Sequence, residues 1–271
     1  MNNSFYFMVS LCSTLVLSNS LFEHEKIRNH LKKHSIPEEN HHNASFNNHD
    51  KRIRSGETID ITQAKYYVYM KCSGTQCGGT LVRRNKVITA AHCVMDCHVN
   101  DFTIAVGLNS IYEYNSARKY RASSIVMHPN YNRQAKFPYD IAVVTLTQDV
   151  ELNNRVDLIN YATSLPPVGN FVTVVGYGMI DGLKEGPTSI KLQRANLKVI
   201  YYKQTCFYTE VVGPRGPTIL PGDSGGPAVY NGLLTGVVSG YFWTNQNIIY
   251  QNAFAGIGDP QILNFIRRYA P

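Results

Sequence analysis

Beyond its first twenty residues the chain has no apolar run long enough to cross a bilayer. It also lacks a stripe of Lys and Arg interleaved with stacking aromatics. Its longest basic clusters are pairs: Lys32-Lys33, Lys51-Arg52, Arg83-Arg84 and Arg267-Arg268. Nucleic-acid binding is therefore not expected, despite a formal net charge of +7 and a pI near 9.0. No internal repeat is visible. Charged residues make up only 17% of the chain against 44% hydrophobic, which argues for a globular rather than a disordered protein. With 271 residues it is long enough to bury a large core, in one or two domains.

The apolar stretch from Phe5 to Leu17 is too short and interrupted to span a membrane. No Lys or Arg precedes it. Ser18-Asn19-Ser20 follows, a small-x-small pattern, so residues 1–20 read as a signal peptide cleaved before Leu21. The expected product is secreted, extracellular and not membrane-bound. Residues 21–52 are polar and hold six of the nine histidines: His24, His30, His34, His41, His42 and His49. They read as a solvated pro-segment, in preference to a metal-binding or pH-sensing one. Asn43-Ala44-Ser45 matches a glycosylation sequon, and Lys51-Arg52 is a basic pair that a processing protease would cut.

Cysteines are few. Cys12 leaves with the signal, so five remain: Cys72, Cys77, Cys93, Cys97 and Cys206. An odd number in an oxidising compartment implies two bridges and a spare thiol, or a bond to another chain. The first four, with four, fifteen and three residues between them, also suit a zinc site. Export favours bridges.

From Ile53 onward, short runs rich in Val, Ile, Thr and Tyr recur between Gly, Pro and Asn breaks. They include Lys86–Ala90, Phe102–Val106, Ile141–Leu146, Phe171–Val175, Leu192–Ile200, Leu233–Ser239 and Asn247–Phe254. Many short strands imply a barrel or a sandwich. The chain closes on a helix, capped by Asp259, with Pro260 in its first turn and Ile262, Leu263, Phe265, Ile266 and Tyr269 on its apolar face.

Three motifs carry chemistry. In Gly222-Asp223-Ser224-Gly225-Gly226-Pro227, glycines on both sides of a serine permit a tight turn and close approach of a substrate. A serine hydroxyl is a poor nucleophile until a base takes its proton. The amides of Gly222 and Ser224 at such a turn are able to converge on one point, as an oxyanion hole requires. Thr89-Ala90-Ala91-His92-Cys93 supplies a histidine with small neighbours. Tyr139-Asp140-Ile141 places a carboxylate at the start of an apolar strand, where burial demands a hydrogen-bonding partner such as an imidazole N–H.

In the order His, Asp, Ser, these three motifs resemble the chymotrypsin/trypsin family of serine proteases, from about Ile53 to the C-terminus. The resemblance implies an all-β fold: two six-stranded antiparallel β-barrels, approximately residues 53–155 and 156–258, plus a C-terminal helix at 259–269. It implies Ser224 as nucleophile, His92 as general base and then acid, and Asp140 as the group that orients His92. It implies an oxyanion hole at Gly222 and Ser224. It further implies a zymogen, activated by cleavage after Arg52, whose new Ile53 amine pairs with Asp223. Arg54 departs from the usual Val of that site. Cys77 and Cys93 match the family's bridge beside the histidine. Cys72 and Cys97 flank that pair and are the candidates for a second bridge. Cys206 lacks its usual partner and is left as a buried free thiol. Only seventeen residues separate it from Ser224.

The residue six before the nucleophile lies at the base of the family's specificity pocket, and here it is Thr218. A neutral threonine cannot pair with Lys or Arg, so chymotrypsin- or elastase-like preference is expected. Ser239-Gly240-Tyr241 forms the wall, where Tyr241 either fills the entrance or points to solvent. The expected partners are polypeptide substrates, an activating protease and protein inhibitors. A monomer is expected, with no cofactor, no metal, no nucleic acid and no membrane. The contrasting reading is a catalytically silent homologue with a binding or regulatory role.

Overall fold

The computed structural model describes residues 56–72, 74–135, 137–179, 187–213, 216–244 and 249–271. The expected signal peptide and pro-segment, Asn43, and Arg52, Ile53 and Arg54 of the expected activation site lie outside them. Among the described residues, thirteen strands and one α-helix follow in chain order. Six of these strands close into one barrel. They are β2 (Tyr67–Cys72), β3 (Thr75–Arg83), β4 (Lys86–Thr89), β5 (Thr103–Val106), β6 (Lys119–Met127) and β7 (Ala142–Leu146), joined in the order β2-β3-β4-β7-β6-β5. The second barrel comprises β8 (Phe171–Gly176), β9 (Gln193–Lys203), β10 (Cys206–Glu210), β11 (Pro227–Tyr230), β12 (Leu233–Trp243) and β13 (Ile249–Gly256). Its order is β9-β10-β13-β12-β11-β8, closed by a β8–β9 pairing, and the short β1 (Glu57–Thr58) adds to β9. Every pairing between these strands is antiparallel. The architecture is thus two six-stranded barrels followed by helix α1 (Pro260–Tyr269).

Residue alternation explains the strands. Along β9, Ala195, Leu197 and Val199 are buried while Arg194, Asn196 and Lys198 are not, the period-2 pattern of a sheet with one face inward. The first barrel's core contains Val68, Met70, Leu81, Ile88, Ile104 and Val143. The second barrel's contains Val172, Val174, Leu197, Val199, Phe207 and Phe254, the two phenylalanines stacked 4.8 Å apart. A third cluster joins the barrels: Tyr67 and Tyr69 of β2 pack edge-on to Tyr177, which follows β8, and the Tyr177 hydroxyl donates to the Leu108 carbonyl at 2.6 Å. The hairpin between β11 and β12 turns on Asn231-Gly232, with φ of 48° and 75°. These two residue types tolerate the left-handed conformation that a two-residue hairpin needs.

The Asp259 carboxylate caps α1 by accepting from the amides of Gln261 and Ile262 at 3.0 and 3.3 Å. Arg267 and Arg268 occupy the last turn, where cations favour the helix dipole. Ile262, Phe265 and Ile266 are buried in the same cluster as the first barrel's core.

Candidate active site

His92 sits in the 3-10 turn Ala91–Cys93, directly after β4. Ala90 and Ala91 are fully buried, and a disulfide from Cys93 to Cys77 ties the turn to β3. A second disulfide joins Cys72 to Cys97. The imidazole itself remains partly open to solvent, with 31% of its side chain exposed.

Asp140 lies just before β7 and is 1% exposed. Its Oδ1 accepts from the backbone amide of His92 at 2.9 Å. Its Oδ2 accepts from His92 Nδ1 at 2.7 Å and from the Ser239 hydroxyl at 2.5 Å. A buried carboxylate is costly unless its lone pairs are satisfied, and these three bonds satisfy them. They also set the tautomer: with the proton on Nδ1, the Nε2 lone pair is free to act as a base. Ser239 was singled out by the sequence only as part of a pocket wall. Its bond to Asp140 comes from β12, in the other barrel, and no local pattern signals it.

The residue before Asp140 is held from the second barrel too. Tyr139 has φ of 59°, unusual for a bulky residue. Its amide donates to Thr205 Oγ1 at 2.9 Å, its hydroxyl to Gln261 Oε1 at 3.0 Å, and its ring stacks on His128 at 4.7 Å. This clamp aims the next side chain, Asp140, at His92.

Ser224 lies on the loop before β11, and its carbonyl accepts from Gly78 N on β3 at 2.8 Å. The next residue, Gly225, has φ of 76°, and a Cβ there would come within 2.2 Å of Thr89 Oγ1 and 2.4 Å of the Gly78 carbonyl. Only glycine lets this loop seat against the end of β4, three residues before His92. No hydrogen bond joins Ser224 Oγ to His92 among the described residues. The amides of Asp223, Gly225 and Gly226 bond to backbone carbonyls, whereas those of Gly222 and Ser224 have no partner among the described residues.

Asp223 is 1% exposed. Its carboxylate accepts from the amides of Gly178 and Leu220 at 2.8 and 2.9 Å, and among the described residues no basic side chain pairs with it. Burial pushes its pKa up to about 7. Cys206 is a free, buried thiol, pushed up to about 12 by burial.

At the base of the expected pocket, Thr218 is fully buried and donates to Asn252 Oδ1 at 2.6 Å. Gly240 faces Phe137, whose ring comes within 2.6 Å of where a Cβ would stand. Tyr241 is half-buried and packs against Trp243 at 5.6 Å. The Cys77, Cys93 and His92 donor atoms lie within 4.8 Å of one another, but both sulfurs are spent in the disulfide and offer no thiolate to a metal. Among the described residues no helix is long and apolar enough to cross a membrane.

Two barrels with a paired His and Asp between them define a serine-protease-like catalytic apparatus. The trypsin family model matches residues 53–255. The chain belongs to that family. It is 34% identical over 206 residues to the vitellin-degrading protease of Bombyx mori, covering 70% of this chain and 76% of that protein. It is 30% identical over 207 residues to trypsin-1 of Salmo salar, covering 72% and 83%. Among solved structures it is similar to neuropsin, a serine protease expressed in the limbic system of mouse brain. That match has a TM-score of 0.68 at 20% identity, covering 79% of this chain and 97% of that one, and bears on the fold.

Proposed function

We propose that this chain is a secreted serine endopeptidase, made as a zymogen, that hydrolyses peptide bonds through Ser224, His92 and Asp140. The observation that carries this reading is the buried Asp140 carboxylate, which takes both the amide and Nδ1 of His92 and leaves Nε2 as the base. Substrate binding brings Ser224 Oγ within reach of Nε2, a contact often loose in free enzymes. Oγ attacks the scissile carbonyl carbon as its proton passes to Nε2. The resulting oxyanion takes hydrogen bonds from the Gly222 and Ser224 amides, which have no partner among the described residues. Collapse breaks the C–N bond, and His92 returns the proton to the leaving amine. A water then attacks the Ser224 ester, with His92 again as base and then acid, and the product acid departs.

Activation follows from Asp223. A buried carboxyl with two amide donors and no basic partner among the described residues is poised for a cation. Cleavage after Arg52 frees the Ile53 amine to fill that role, and the pairing orders the loop that carries Gly222 and Ser224. N-terminal sequencing of the active form is expected to begin at Ile53. The neutral Thr218 directs the enzyme away from Lys and Arg. Homology to proteases supports polypeptide substrates.

The competing reading, a catalytically silent homologue, draws on the absence of a Ser224–His92 bond among the described residues. A fluorophosphonate probe separates the two. After activation the wild type is expected to be labelled on Ser224, and Ser224→Ala to retain at most the ~10³–10⁴-fold acceleration over water left when a triad member is lost. An unlabelled wild type would establish the silent reading.

A further inference from the structure

Gln204 and Thr205 form the two-residue turn that joins β9 to β10. Thr205 is 1% exposed, and its Oγ1 accepts from the Tyr139 amide, in the loop before β7 of the other barrel, at 2.9 Å. The turn itself is fixed. Lys203 pairs with Cys206 across it, and the Thr205 carbonyl accepts from Gly256 N at 2.8 Å. The neighbouring Cys206 thiol donates to the Phe137 carbonyl at 3.3 Å. That same carbonyl accepts from the Asp140 amide at 3.3 Å. Two consecutive residues of the second barrel thus grip residues 137 and 139, which lead into Asp140.

We infer that Thr205 is a positioning residue for peptide-bond hydrolysis: through the Tyr139 amide it fixes the direction of the Asp140 carboxylate, and so the orientation of His92. This rests on the protease reading above. Tyr139, with φ of 59°, sits in the left-handed region, which a residue with a Cβ holds only where its surroundings over-determine it. Three partners hold Tyr139, and they act at different points. His128 stacks on its ring, and Gln261, an exposed residue of α1, takes its hydroxyl proton. Both act on the side chain. Thr205 alone among these three holds the backbone N–H. Without that acceptor the amide is left unpaired, and the backbone gains by relaxing toward an ordinary negative φ. Such a rotation, one residue before Asp140, swings the carboxylate. Asp140 has little room to swing, because its two oxygens meet three donors at 2.5 to 2.9 Å. A hydroxyl in the second barrel therefore sets the aim of a pair whose histidine stands on the first.

The test uses the full chain cleaved after Arg52 and a small fluorophosphonate that labels Ser224. The extent of labelling counts the folded, competent fraction. The rate constant of labelling reads nucleophile and base together, and its acid limb follows the protonation of His92. Thr205→Val keeps the shape and removes the acceptor. Its labelled extent is expected to match wild type while the rate constant falls by about 10–10²-fold, the upper figure being the scale of a 1 Å misplacement. Its acid limb is expected to move to lower pH, because a misaimed carboxylate favours the imidazolium less. Thr205→Ser, which restores the hydroxyl, is expected to recover both rate and limb. Should the valine variant fail to fold, Thr205→Ala, which leaves room for water at the Tyr139 amide, decides by the same readings. A merely structural role would lower the extent of labelling and leave rate and limb alone. That result, a rate loss without a shift of the limb, or a loss that the serine variant does not recover, would overturn the inference and leave the protease reading intact. A folded, cleaved wild type that takes no label would overturn both.

Discussion

The two barrels hold their loops by different means. In the first, His92 and the strands around it are stapled by two disulfides, Cys77–Cys93 and Cys72–Cys97. In the second, the loop through Thr218 and Ser224 has no disulfide among the described residues, and Cys206 stays a free thiol. Buried polar networks take that role: the Asp223 carboxylate on Gly178 and Leu220, and the Asn252 carboxamide on Thr218 and Thr209. A covalent staple is indifferent to pH. A buried carboxyl network is not. The half that holds His92 is therefore fastened by covalent bonds, and the half that holds Asp223 by a network that answers to charge.

Four perturbations probe this contrast. Asp140→Asn strikes where the halves meet, because Asp140 takes bonds from His92 on one side and Ser239 on the other. It is expected to lower kcat by about 10⁴ while the fold persists, since an amide there favours the wrong tautomer of His92. Steady-state kinetics with circular dichroism checks this. A loss under about tenfold would mean that the pair does not orient the base.

The second perturbation is pH acting on Asp223 in the uncleaved chain. Burial holds its folded pKa at about 7, above the ordinary carboxylate value of 3.8, so between those values the folded state binds more protons than the unfolded one. Stability then falls as pH rises across that window, by on the order of a few kcal/mol. Urea unfolding of wild type and Asp223→Asn at pH 4 and pH 8 should show the wild type losing ground to the variant as pH rises. After cleavage at Arg52, a cation on Asp223 would depress its pKa and reverse that slope. A difference that instead shifts in favour of the wild type as pH rises in the uncleaved chain would show that the carboxylate already has a counter-ion.

The third is removal of the first barrel's staple. Cys77→Ser with Cys93→Ser opens a bridge between residues 16 apart and is expected to cost about 3 kcal/mol in urea unfolding, equally at low and high pH. A cost that changes with pH would blur the distinction between the halves. The smallest effect belongs to the cap of α1. Asp259→Ala, which deprives the Gln261 and Ile262 amides of their acceptor, is expected to cost about 1 kcal/mol by thermal unfolding. It should leave the peptide preference unaltered.

Much of the fold was legible because its signals are local. The runs at Lys86–Ala90, Ile141–Leu146 and Leu192–Ile200 contain or overlap β4, β7 and β9, with ends shifted by a few residues. Asp259 and Pro260 marked the start of α1 to the residue. The strands β3 and β6 were less visible: each interleaves Gly, Thr, Ser, Arg or Gln among its apolar positions, and only pairing in the closed barrel makes them strands. The His92–Asp140 pair was legible because a carboxylate opening an apolar strand must find a donor. Ser239 as the third donor to Asp140 was not, because it lies 99 residues away on β12.

By itself, the sequence determined the class of fold, the family and the pairing of His92 with Asp140. These depend on alternation, turn chemistry and short motifs, all written within a few residues. Tertiary structure alone decided what surrounds that pair. The register of β12 with β13 sets Tyr241 beside Asn252, and the hydrogen bonds of Asn252 join Thr218 and Thr209 across 34 and 43 residues of chain. The reason is physical. A lone buried asparagine has no pattern along the chain, and its meaning arises only when strands from distant segments present it with donors and acceptors to satisfy.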